Sequence, residues 1–163
     1  MEQLKILNRK EIKKILKLLR ERFCCDFGFD SDFDFGMLKS SSGKLYLVTK
    51  EISKLNFKKL KISRTGIYFA DYEEKFKNNK IRLSIEGAQL IGALAKKNIL
   101  EIDESGLRKW FFGEDLIVKN ASNVSDGFVI LKYNNDFVGC GLLKQGILKN
   151  YVPKERRAKD LIL

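Results

Sequence analysis

The 163-residue sequence contains no histidine, a single proline and three cysteines. Without imidazole the chain by itself holds no Ser-His-Asp or Cys-His catalytic pairing and no histidine-ligated metal site. Cys24 and Cys25 are adjacent, Cys140 stands alone, and no Cys-x-x-Cys spacing occurs. Neighbouring cysteines rarely bridge, so a disulfide framework is excluded, and a thiolate zinc site finds no ligand set. A glycine-rich phosphate loop closing on Lys-Ser/Thr is also missing. No apolar run approaches the ~20 residues that a membrane span requires. The first residues alternate Lys with Leu and Ile instead of building an apolar signal core. These absences describe a soluble, cytoplasmic protein with no cofactor, no metal and no membrane partner, and they leave few places for enzymatic chemistry.

Positive charge is what the sequence does have. Lys+Arg number 32 against 21 Asp+Glu, for a formal net charge of +11 and a pI ≈ 9.6. A hydrophobic fraction of 44% with 11% aromatic residues suits a packed core, so this charge sits on a folded protein. Nucleic acid is the partner class such a surface suits best, ahead of an anionic membrane. The abundance of Lys, Ile and Asn with one proline fits an AT-rich, archaeal-like genome.

Segment by segment, the first element announces itself. In LNRKEIKKILKLLRERF, Asn8 caps, Glu11 completes a capping box three residues on, and Leu7 staples to Ile12. Ile12, Ile15, Leu16, Leu19 and Phe23 fall on one stripe at helical spacing. Lys10, Lys13, Lys14, Lys17 and Arg20 occupy the other face, which water alone can satisfy. CCDFGFDSDFDFG then reverses the sign of charge, with Asp26, Asp30, Asp32 and Asp34 free of basic neighbours. Phe27, Phe29, Phe33 and Phe35 sit at odd positions, the alternation of an edge strand with phenylalanine inward and aspartate outward. A calcium loop would need a closing acidic residue after Asp30, and none is there.

A turn at Ser40 to Gly43, a strand over 44–49, a helical turn after it, and strands in RTGIYFADY and NNKIRLS follow. Ser84 caps a helix whose stripe is Ile85, Ala88, Ile91, Leu94 and Ala95, with Lys96, Lys97 and Asn98 as the stop. Its small residues (Gly87, Ala88, Gly92, Ala93, Ala95) imply close packing on a sheet. Beyond Asn98 the periods shorten. NILEID reads as a strand and ESGLRKWFFG as a short helix halted at Gly113, with Trp110, Phe111 and Phe112 mostly in a core. DLIVKN, GFVILKY, DFVGCGLL and GILKNYV are four short strands separated by turns at Ser122-Asn123, Asn134-Asn135 and Gln145-Gly146. That rhythm belongs to a small barrel or sandwich. Cys140, between two glycines, reads as a packed core residue. From Lys144 to Asp160 the chain carries six basic residues against two acidic ones.

This second half resembles a PUA domain, the RNA-binding module named after pseudouridine synthases and archaeosine transglycosylases. GEDLIVKNAS is similar to the family's Gly-x-x-Val-x-x-x-Gly opening strand, with Asn120-Ala121 where a glycine is usual. DGFVILKYNNDFVGCGLLKQGILKNYVPKERR resembles the version appended to Nol/Nop/Sun-type RNA cytosine methyltransferases. Its features there are an aromatic strand, a Gly-x-Gly strand and a Lys-Asn-x-x-Pro-Lys ending, here Lys149 to Lys154. From about residue 8 the order of elements, including Ser-Gly-Lys-x-Tyr-x-Val at 42–48, is also similar to the Nip-type family of ribosome-biogenesis factors.

The resemblance implies an α+β protein: an N-terminal α/β domain over 1–95 followed by a small PUA-type mixed β-barrel over 96–163. It implies an RNA face built from Lys119, Lys144, Lys149, Asn150, Tyr151, Lys154, Arg156 and Arg157. Lysine and arginine neutralise phosphates. Asn150 and Tyr151 are available to a base or sugar, unless Tyr151 is a core residue. The function implied is non-catalytic RNA binding in ribosomal RNA processing or ribosome assembly, on rRNA or a tRNA-like RNA, with a protein partner possible at the N-terminal domain. The alternative is an accessory subunit that directs an RNA-modifying enzyme such as a cytosine methyltransferase.

Overall fold

The first helix forms where its caps and stripe require. The computed structural model describes residues 3–26, 35–54, 65–73, 81–119 and 121–159. Helix α1 (Arg9–Phe23) opens on the expected box: Asn8 Oδ1 accepts from Glu11 N at 2.9 Å, and the Glu11 carboxylate accepts from Asn8 N at 2.8 Å. Lys5 also donates to Glu11, and with the Asn8 amide it holds that carboxyl below its ordinary range. The buried residues of α1 are Ile12, Ile15, Leu16, Leu19 and Phe23, the predicted stripe. Asn8→Ala removes the cap and half the box, and it should cost about 1 kcal/mol, read as a lower urea midpoint at unchanged slope.

Five antiparallel strands carry α1: β1 (Leu4–Ile6), β2 (Phe35–Ser40), β3 (Lys44–Thr49), β4 (Ile67–Tyr72) and β5 (Ile81–Leu83), in that spatial order. A 3-10 turn (Lys50–Lys54) follows β3 where a helical turn was expected. The Phe/Asp alternation falls largely on residues 27–34, outside the described residues.

Helix α2 (Ile85–Gly92) is shorter than its pattern implied. It ends four residues before Lys96, so Leu94 falls in the following turn and is 43% exposed instead of joining the stripe. At Gly92 a side chain would overlap the Phe137 ring of a later strand, so the end of α2 packs closely on that strand. The chain turns after it, and Lys96 N and Lys97 N donate to Phe23 O at the end of α1. Gly87 is a second close approach, because a Cβ would overlap the Phe69 carbonyl oxygen of β4. Small residues thus let α2 lie against β4 and the second sheet together.

The second sheet is mixed. Strand β6 (Ile99–Glu101) runs parallel to β8 (Gly127–Tyr133). Then follow β9 (Asp136–Lys144), β10 (Ile147–Lys149) and β7 (Leu116–Ile117), each antiparallel to the strand before it, in the order β6-β8-β9-β10-β7. It curls into a half-barrel; among the described residues no pairing joins the edge strands β6 and β7. Among the described residues of DLIVKN, Leu116 and Ile117 form the strand and Val118 N donates to Gly146 O at 2.8 Å. Helix α3 (Glu104–Phe112) starts on Asp103, whose Oδ1 accepts from Gly106 N at 2.8 Å, and stops on Gly113 in the left-handed region at φ 85°.

Strand β8 reads GFVILKY, nearly continuous apolar, because both of its faces are covered. Phe128 and Ile130, with Cys140 and Phe137 of β9, pack into the cluster of α1, α2 and the first sheet. Val129 and Leu131 point the other way, to Trp110, Leu107 and Leu148. The alternation of a single strand therefore ties the two cores together. Trp110 is fully buried and donates Nε1–H to Val138 O at 3.2 Å, while Phe112 is exposed. No helix among the described residues is long and apolar enough to cross a membrane.

Candidate nucleic-acid interface

The basic ending begins on a hairpin whose turn dictates which way its lysines point. Gln145 and Gly146 both take positive φ, 50° and 77°, as a two-residue turn joining twisted strands requires. Across this hairpin Ile147 faces Lys144, and Lys149 faces Leu142. Cross-strand partners project to the same side, so Lys144 and Lys149 share the outer face with Ile147, and Ile117 joins it from β7. Ile147 is 54% and Ile117 79% exposed, which leaves a basic face with apolar ground between the charges. Lys144, Lys149 and Lys154 are exposed and form no salt bridge among the described residues.

The residues between and after these lysines have other duties. Asn150 is buried. Its Nδ2 donates to Trp110 O at 2.7 Å and Glu114 O at 3.0 Å, and its Oδ1 accepts from Val152 N at 2.8 Å. Its backbone N donates to Asp115 Oδ1 at 2.8 Å. Both ends of the carboxamide close the C-terminus of α3 onto the last strand, so Asn150 is a structural bracket and presents no edge to a base or sugar. Arg157 is half-buried: its Nε donates to Val152 O at 3.1 Å, and its guanidinium lies over Gly113. Next to it, Ala158 N donates to Phe111 O at 2.9 Å. Arg156, on a 3-10 turn (Lys154–Arg156), pairs with Glu86 of α2. Burial alone would raise the Glu86 carboxyl, but the bond and charge of Arg156, with the Glu86 backbone amide and Ser84, together outweigh it and hold the group below its ordinary range. The two arginines expected to meet phosphate are thus engaged within the fold, Arg156 by Glu86 of α2 and Arg157 by the nearby Val152 carbonyl and its contact with Gly113.

Tyr151 is half-buried at the junction of the two sheets. The Phe128 ring meets it edge-on at 6.2 Å, the Arg82 guanidinium lies 4.4 Å from its centroid, and Lys149 Nζ is 5.8 Å away. Arg82 Nε also donates to Asp71 Oδ2 at 3.1 Å, and the same oxygen accepts from Tyr68 OH at 2.6 Å. Burial would lower the Arg82 guanidinium, yet Asp71 more than offsets it and the group is raised. Burial and the bond to Asp71 raise the Tyr68 phenol as well. Tyr151 is therefore neither simple core nor free platform.

Lys119 lies elsewhere. It lines an open groove of about 1050 Å³ between the edge strands β6 and β7, with Lys109 and Lys132 as further cations. None of the other seven expected residues lines that groove, and Glu101, Asp103, Glu114 and Asp115 make it mixed in charge. Lys132 there is bound to Glu101 at 3.4 Å.

Several connecting residues carry no local signal. Arg22 donates from Nε to Phe128 O at 2.7 Å, from Nη1 to Ser125 Oγ at 2.9 Å and from Nη2 to Ser125 O at 2.7 Å. Asn98, at φ 58°, donates from Nδ2 to Arg22 O at 2.6 Å and accepts from Ser125 N at 2.9 Å. Asparagine tolerates the left-handed region, which is the one hint the sequence holds. Arg82, Asp71, Tyr46 and Tyr68 likewise meet only through strand pairing.

The two buried thiols, Cys25 and Cys140, are not poised for chemistry. Burial pushes Cys140 up to about 12 and Cys25 up to about 11. In the native protein only the exposed Cys24 should react promptly with a thiol reagent at neutral pH, the other two following on unfolding. The raised values also set a sign. The two thiols should leave stability unchanged up to about pH 9 and lower it as pH rises further, where the unfolded chain ionises first. Cys140→Ala should lessen that alkaline fall in urea titrations.

Against known proteins, residues 97–158 match the family described as the methyltransferase RsmF PUA domain. The ribosomal RNA small subunit methyltransferase F of Vibrio vulnificus (strain YJ016) is 31% identical over 96 residues, 59% of this chain and 19% of that protein. The proteins of the same name from Vibrio cholerae and Vibrio parahaemolyticus are 29% identical over 96 residues and 27% over 99, each over 59% of this chain. These spans are 19% and 20% of those proteins, so the chain covers about a fifth of the length of the curated relatives it matches. A PUA-like domain of the methyltransferase type is present.

Proposed function

We propose that this chain binds RNA without catalysing a reaction on it, in ribosomal RNA processing or ribosome assembly. One observation carries the reading: the PUA-like module over 97–158, similar to part of a ribosomal RNA methyltransferase, includes a hairpin with exposed lysines on its outer face. Lys144, Lys149 and Lys154 neutralise successive phosphates, and the apolar ground of Ile147 and Ile117 lies under the sugars. Net charge of +11 raises the local concentration of any polyanion before contact. In this reading the chain has the two-domain Nip-type order, an α/β unit over 1–95 and the PUA domain over 96–163. It works in the cytoplasm on rRNA or a tRNA-like RNA, and the first unit meets a protein partner.

The nature of the relatives favours a second reading, an accessory subunit that brings RNA to a modifying enzyme such as a cytosine methyltransferase. Crosslinking in cells followed by sequencing of the attached RNA tests the first reading, with ribosomal RNA and pre-ribosomal particles as the expected yield. Co-purification with a methyltransferase in place of those particles favours the second. Turnover of a labelled methyl donor on RNA by the pure protein overturns both.

A further inference from the structure

Between the two sheets lies a cleft of about 300 Å³ that the matched PUA region does not account for by itself. Tyr46 and Tyr68 line it from β3 and β4, Arg82 from β5, and Tyr151 from the segment after β10. All four are only partly buried. Trp110, Gly139 and Cys140 also line it, while Lys44 and Arg156 supply further cations and Glu86 and Glu155 the anions. We propose that this cleft receives one unpaired nucleotide of the bound RNA, its base stacked on the tyrosines and its phosphate toward Lys44 and Lys149. The inference rests on the RNA-binding reading above and adds the place where a base, as opposed to backbone, is held.

Size selects the occupant first. A cleft of this volume is at the small end of ligand sites, room for one nucleotide and too narrow for a duplex. Chemistry selects it next. Three tyrosines with a cationic edge form a stacking platform that accepts any base, since every base has a π-face. Tyr46 and Tyr68 lie 5.8 Å apart at a tilt of 47°, and Arg82 lies over Tyr151 at 4.4 Å. A third feature is preorganisation. One carboxylate, Asp71, fixes both the Tyr68 hydroxyl and the Arg82 guanidinium, so these side chains need little ordering when a base arrives. Continuity supplies the last argument. Lys149 is on the outer hairpin face and also stands 5.8 Å from the Tyr151 ring, so a strand following the lysines leads to the cleft.

The same chemistry would hold a free nucleotide, so the test separates the two sources. A short single-stranded RNA carrying 5-iodouridine is irradiated with the wild-type protein, and Tyr46→Leu, Tyr151→Leu and Tyr151→Phe are titrated with the plain RNA. We expect crosslinks at Tyr46, Tyr68 or Tyr151. Each leucine variant should lose about tenfold in affinity, the size of one base–aromatic stack, at unchanged salt slope, and the phenylalanine variant should retain binding. Wild-type affinity with crosslinks elsewhere overturns the cleft while leaving the RNA reading intact. Absence of any RNA binding by the wild type removes both. Nucleoside monophosphates binding as tightly as the oligonucleotide overturn the strand-borne nucleotide in favour of a free one. If a leucine variant fails to fold, the wild-type crosslink and the phenylalanine variant decide.

Discussion

Changing Lys144, Lys149 and Lys154 together to glutamine is expected to lower affinity for single-stranded RNA by on the order of a hundredfold at 0.1 M salt. Each lysine–phosphate contact on a single strand adds about 0.7 to the slope of log affinity against log salt, which is about fivefold per contact at that salt. Losing three contacts should flatten the slope by about 2. All three side chains are exposed and have no salt bridge among the described residues, so the fold should tolerate the change. Fluorescence titrations across a salt series measure both quantities. Lys10, Lys13 and Lys14 of α1, changed the same way, are the control with equal loss of charge. If that control flattens the slope equally, the grip is diffuse charge and the hairpin face is not the site.

Asn150→Ala is expected to lower stability by about 3 kcal/mol, because it strands the Trp110 and Glu114 carbonyls and the Val152 amide in a buried corner. Denaturant titration reads this directly. RNA affinity measured on the folded protein should barely change, since both amide hydrogens are engaged and the carboxamide is buried. A stable variant that binds RNA weakly would return Asn150 to the binding surface. The contrast with the lysines follows from geometry: adjacent residues of one motif, Lys149 and Asn150, point to opposite sides of the last strand. Residue type alone made both look available to RNA.

Local signals determined much of this protein. The capping box of α1, its five-residue apolar stripe, the caps Ser84 and Asp103, the Gly113 stop and the Gln145-Gly146 turn all depend on neighbours within a turn or two. Such interactions survive any tertiary arrangement, so spacing suffices to find them. The PUA-like region was legible for a related reason, because its turn and strand residues recur in a fixed order.

Tertiary structure decided what the longer contacts do. Gly92 packs against Phe137, and β8, buried on both faces, contributes to both cores. Arg156 found Glu86, Arg157 found Val152 and Gly113, and Arg82 found Asp71 and Tyr151. A charged side chain looks solvated in sequence until a partner tens of residues away is brought within hydrogen-bond distance. Tertiary pairing therefore separated the lysines left without a salt bridge among the described residues from the arginines engaged by Glu86, Val152 and Asp71.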